Sequence, residues 1–135
     1  FCFQVDTGSN TNYNQPITSS SFRAYLKEDG SGGTLGYDGN SDQINTDAAL
    51  QRILSTGTGD DADQSVSGVM TLFAPASTTY VKHFTAVGNG ADHGDFTVSS
   101  YTGGYINVTA AITRIRFSFD SGDIAAGTIK MFGVS

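Results

Sequence analysis

The chain has 135 residues, of which 38% are hydrophobic and only 15% charged, with a formal net charge of −6. A chain of this length can bury roughly two-thirds of its unfolded surface in one core, and its low charge separates it from highly charged, disordered sequences. The acidic balance argues against attachment along a nucleic-acid backbone, which needs clustered cations, and no run approaches the roughly eighteen apolar residues of a membrane-spanning helix.

Strand patterning starts at once. Phe1, Phe3 and Val5 alternate with Cys2, Gln4 and Asp6, the period of two that puts large apolar side chains on one face of a strand. Because the chain opens inside that pattern on a residue other than Met, further residues are expected upstream of Phe1. Residues 7–21 are rich in Ser, Thr and Asn and read as a long loop. Phe22, Ala24 and Leu26 then alternate against Arg23, Tyr25 and Lys27, until Asp29-Gly30 and Gly32-Gly33 turn the chain.

Residues 47–54 carry Leu50, Ile53 and Leu54 at helical spacing behind possible caps at Thr46 and Asp47. A helix so short is unstable alone, and its neighbours all read as strand, so this segment is assigned as strand. Residues 57–65 form an acidic Gly/Asp loop, residues 66–74 a strand ended by Pro75, and residues 80–87 a strand closed by Asn89-Gly90. Residues 96–101 follow, closed by Gly103-Gly104. Residues 112–119 are the clearest strand, with Ile115, Phe117 and Phe119 on one face and Arg114, Arg116 and Ser118 on the other. Residues 128–134 read as its returning partner.

Eight or nine short strands without a long helix predict an all-β antiparallel sandwich, one domain over residues 1–135. Twelve of the thirteen acids are Asp, a turn residue, which places them mostly in connections. Arg23, Lys27, Lys82, Arg114, Arg116 and Lys130 fall inside strand patterns, where a long cationic side chain can stand on the outer face. The single cysteine, Cys2, can form no internal disulfide and reads as a small, partly buried apolar residue.

Few residues point to chemistry. Asp6-Thr7-Gly8-Ser9 behind Val5 is similar to the catalytic turn of aspartic proteases, which need two such carboxylates sharing a proton and hence a dimer here. Those enzymes place strands ahead of the motif, whereas five residues precede it in this chain, so an Asx-type turn is the preferred reading. Asp60, Asp61 and Asp63 lack the spacing of a calcium loop, and His83 and His93 lack a third zinc ligand, so no metal or cofactor is expected. Asn107-Val108-Thr109 fits a glycosylation sequon, a triplet common by chance in Asn/Thr-rich chains. Tyr13, Tyr37, Tyr101 and Tyr105 lie in or beside Gly/Asn/Ser stretches and suit protein or sugar recognition. Tyr101, Tyr105 and His93 are the binding candidates.

The stretch Ser67-Gly68-Val69-Met70-Thr71-Leu72-Phe73-Ala74-Pro75-Ala76-Ser77-Thr78-Thr79-Tyr80-Val81-Lys82-His83-Phe84 resembles a pattern of bacteriophage virion proteins of the tail-fibre or head-fibre kind. The end, Ala111 to Phe117 and Ser121 to Val134, resembles the same family's closing hairpin. The resemblance implies a jelly-roll-like sandwich on the virion surface, commonly trimeric, with other virion proteins and a host glycan or receptor as partners. It transfers no catalytic residue, so the chain is read as a non-enzyme. It also implies an extended segment at residues 47–54, from which Ala48-Ala49 depart. Tail fibre and capsid decoration stay open as placements. A free carbohydrate-binding module and a dimeric protease through Asp6-Thr7-Gly8 are the other readings.

Overall fold

The computed structural model describes residues 1–46, 50–55, 57–59 and 61–134. Among them the alternating segments form nine strands and no helix: β1 Cys2–Thr7, β2 Ile17–Lys27, β3 Gly33–Tyr37, β4 Gln43–Thr46, β5 Gln51–Arg52, β6 Val66–Leu72, β7 Lys82–Asp92, β8 Phe96–Ile106 and β9 Ile112–Ser118. All the strand pairs are antiparallel. One sheet has the order β5-β1-β9. The other runs β3-β2-β8-β7-β6, with β4 also paired to β2.

The two sheets form a sandwich around Phe3 and Val5 of β1, Ile17 of β2, Ile53, Phe84 and Ala86 of β7, and Ile106 of β8. Phe3 meets Phe84 edge to face at 5.0 Å between ring centroids, a pairing favoured by the ring quadrupoles. As the alternation of β9 predicts, Phe117 faces inward, stacked on Phe1 at 5.7 Å. Strand β1 is buried on both faces from Cys2 to Asp6, because residues 8–16 fold back over its outer side.

Several connections differ from the expected ones. Ile17 begins β2, so the loop after β1 ends at Pro16 rather than at Ser21. Asn89-Gly90 does not turn the chain; it lies inside β7, and the hairpin closes at His93-Gly94-Asp95. The Asp92 carboxylate accepts a hydrogen bond from the Gly94 N–H at 2.9 Å, and Asp95 takes the left-handed conformation, φ 62°, of a three-residue hairpin. Gly90 is small for another reason: a Cβ there would meet Leu54 at 2.7 Å, where the 53–55 segment crosses the sheet. Gly103-Gly104 likewise lies within β8, and a Cβ on Gly104 would collide with the Thr18 carbonyl and with Ser19 on β2.

Within the segment read as strand at 47–54, residues 47–49 lie outside the described residues. Gln51–Arg52 pair with β1 as an extended strand, and Ile53 and Leu54 are buried. The expected return strand at residues 128–134 is absent: β9 ends at Ser118, and no strand follows among the described residues. Arg52 of β5 donates to the Asp120 carboxylate at 2.6 Å, drawing the chain across the end of β1 as it leaves β9.

Lys82 and Arg23 do not stand on the outer face expected of them. Lys82 is fully buried, and its ammonium donates to the carbonyls of Tyr80, Val108 and Thr109 at 2.7, 3.2 and 3.1 Å. Its parity in β7 matches that of Phe84 and Ala86, so the side chain enters the sandwich and caps one end. Arg23 sits opposite the buried Ser100 and reaches the Ser55 carbonyl at 3.4 Å.

Candidate binding face

Strand β2 inverts the parity that its amphipathic pattern suggests. Ile17 and Ser21 set the inward face, so the odd residues face the small sheet and Phe22, Ala24 and Leu26 point outward. Alternation in β7 and β8 then sends Val87, Asn89, Ser99 and Tyr101 outward as well.

Register turns this into a continuous row. Tyr37 lies opposite Phe22, Phe22 opposite Tyr101, Tyr101 opposite Val87, and Val87 opposite Val69. These five side chains cross all five strands of the main sheet path, about 19 Å at ~4.8 Å per strand, and stay 42% to 72% exposed. Phe22 and Tyr101 stack in parallel at 4.9 Å. Beside them Ser67, Val69, Val87, Asn89, Ser99 and Tyr101 line a shallow open depression. The Asn89 amide donates to Thr97 Oγ1, the Val98 carbonyl and Ser99 Oγ, all at 3.1 Å, which fixes the polar border of the row. At the far edge the Tyr37 hydroxyl donates to Asp42 at 2.6 Å, and this bond, with burial and the nearby carboxylates, holds its pKa above the ordinary tyrosine value.

Tyr101 and Tyr105 therefore belong to a strand, not to a loop. Both project from the outer face of β8, four residues and about 13 Å apart. Tyr105 pairs with His83 across β7 and β8, with ring centroids 6.0 Å apart. His93 is not brought to them: it occupies the β7–β8 hairpin tip, exposed, with Nδ1 3.1 Å from Asp92. Sequence reasoning missed Phe22, Val87 and Val69. The period of two in β7 and β8 was a usable signal for Val87, whereas Phe22 required the register against Tyr101.

The Asp6 carboxylate serves the loop. It accepts from the N–H groups of Thr7 and Tyr13 at 3.0 and 2.9 Å and from the Gln15 amide at 3.0 Å. Burial alone would raise its pKa, but the Tyr13 and Thr7 donors, the Gln15 amide and the Arg114 charge outweigh it and hold the group below the ordinary aspartate value. Tyr13 adopts φ 53°, and the Arg116 guanidinium lies 4.6 Å from its ring. Arg114 donates to the carbonyls of Gly8 and Asn10 at 3.0 and 2.9 Å. No bond from the Gly8 N–H, two residues on, is among these donors, so Asp6 acts as a tether for residues 7–15 rather than as the Asx-type turn expected from the sequence.

Asp60 lies outside the described residues, and among those described no three His, Cys, Asp or Glu side chains gather as a metal site. The Asn107 side chain donates to Asn45 at 3.0 Å. The row across the large sheet is the surface best suited to recognition: flat, aromatic at its centre, and bordered by hydroxyl and amide groups. No family model matches the chain, and no curated protein or solved structure matches it either.

Proposed function

We propose that the chain is a structural and adhesive module of a bacteriophage particle, a tail-fibre or receptor-binding element built on a jelly-roll-like sandwich. The observation that carries this reading is the exposed row Tyr37, Phe22, Tyr101, Val87 and Val69 on one sheet face. Monomeric soluble proteins seldom leave a contiguous apolar strip in water, and such strips mark contact surfaces. The likeness of residues 67–84 and 111–134 to phage virion proteins supplies the setting. Attachment works by repetition: a face of modest affinity, displayed several times around a symmetric appendage, gains avidity without a deep pocket.

Electron microscopy of the particle with a gold-labelled antibody against this chain tests the assignment. Label at a tail or fibre tip supports it. Label spread over the capsid lattice favours a decoration protein, and no label on the particle overturns the virion reading altogether. A carbohydrate-binding module is the second reading, favoured by the parallel Phe22–Tyr101 rings beside Ser99, Asn89 and Ser67, since sugar rings stack on such platforms. Binding of the isolated chain to a glycan array, lost in Tyr101→Ala, would support that reading.

A further inference from the structure

Residues 128–134, Thr-Ile-Lys-Met-Phe-Gly-Val, carry large apolar side chains at both parities. That is the pattern of a strand buried on both faces, as β1 is. Yet the segment joins no strand, and Met131, Phe132 and Val134 are 80% to 97% exposed. A strand-patterned segment that keeps this much apolar surface in water lacks its partner.

The small sheet shows the complementary defect. Among the described residues β9 pairs with the single strand β1, and on its other side no strand follows; there the Ile112 N–H donates to the Pro75 carbonyl at 2.9 Å, and the edge beyond Ile112 carries no ladder. Ile115 and Phe117 of β9, like Met70 and Leu72 of β6, pack against the core but remain only partly buried. A further strand on β9 would cover Ile115 and Phe117. The chain's own tail is led away from this edge, because the Arg52–Asp120 contact draws residue 120 toward β5, on the opposite side of β1.

We infer that residues 128–134 of one copy add as a fourth strand to the β9 edge of a second copy, giving the order β5-β1-β9-tail. Backbone hydrogen bonds satisfy the open edge, and one parity of the tail, Ile129 with Met131 or Phe132 with Val134, is buried beside Ile115 and Phe117 of the second copy. The contact is heterologous, joining the tail of one copy to the edge of the next, so it closes into a ring when the rotation between copies permits. This exchange does not depend on the virion reading or on the outer face of the large sheet.

The test is the mass of the full chain in solution at micromolar concentration, by light scattering after size exclusion, beside Met131→Asp/Phe132→Asp. Both substitutions lie at exposed positions outside the core, so the variant folds, as its circular dichroism and Tm check. The full chain is expected to be an oligomer and the double variant a monomer, with association at least tenfold weaker. A monomeric full chain, or a variant that stays oligomeric, overturns the inference. Hydrogen exchange separates exchange between copies from self-closure: residues 128–134 and 113–117 should lose protection together on dilution to monomer. Protection of residues 128–134 in the monomer would show that the tail closes on its own β9 and would also overturn the inference.

Discussion

The Phe22 ring lies parallel to the Tyr101 ring at 4.9 Å on the open side of the large sheet, with both residues more than two-fifths exposed. The pair is placed by strand register, since Phe22 and Tyr101 are direct partners in the β2–β8 ladder. An aromatic cross-strand pair contributes about 0.5–1.5 kcal/mol, a small part of total stability, so it can be altered without unfolding the sandwich. Tyr101→Asp and Phe22→Asp should lower stability by no more than about 1.5 kcal/mol while abolishing binding through this face. A thermal scan beside a binding assay checks both, and a Tyr101→Asp variant that binds like wild type would place recognition elsewhere.

Asp6 ties residues 7–16 to the sandwich through three donors. Its folded pKa is depressed, so its contribution to stability is present above the unfolded value of about 3.9 and is lost as pH falls through the folded value. Asp29, held low by hydrogen bonds from Ser31, and Asp120, where the charge and hydrogen bond of Arg52 overcome burial, act in the same direction. Stability should therefore fall below about pH 4. Asp6→Asn should lower the Tm by several degrees at neutral pH and converge with wild type in acid. Equal pH profiles for the two proteins would remove Asp6 from this role.

Lys82 is buried, and it spends its three N–H donors on the backbone carbonyls of Tyr80, Val108 and Thr109 at the end of the sandwich. In Lys82→Met the side chain is of similar length, but the carbonyls of Tyr80, Val108 and Thr109 lose their donor. A hydrogen bond from a charged donor contributes about 1.5–3 kcal/mol, so denaturant titration should show a loss of about that size. A variant as stable as wild type would show that water replaces the ammonium at little cost.

At Gly104 of β8 there is no room for a side chain beside Thr18 and Ser19 of β2. Gly104→Val should cost about 1–3 kcal/mol through displaced backbone, while Gly36→Val, at a position with open space around it, should be nearly neutral. Equal Tm changes for the two variants would contradict this packing.

The period of two was enough to read β1 and β9 correctly, including which residues of β9 face inward. Their partners lie within the same sheet, and their apolar residues share one parity. The same rule misplaced Phe22 and Arg23, since the inward face of β2 is set by Ile17 and Ser21. The turn signals of Asn89-Gly90 and Gly103-Gly104 also misled, since both pairs lie inside strands. There glycine answers a close approach from residues distant in sequence, Leu54 and Ser19, which no local pattern displays. Tyr101 and Tyr105 were picked out as aromatic groups near glycine, but the surface they belong to emerges only from the pairing of five strands.

Adsorption competition tests the proposed adhesive role most directly. On the proposed reading, purified chain added to host cells ahead of a phage that carries it should slow adsorption in a dose-dependent way, and the Phe22→Asp/Tyr101→Asp form should not. Unchanged adsorption at saturating wild-type protein, or equal inhibition by the two forms, would contradict an adhesive module acting through this face.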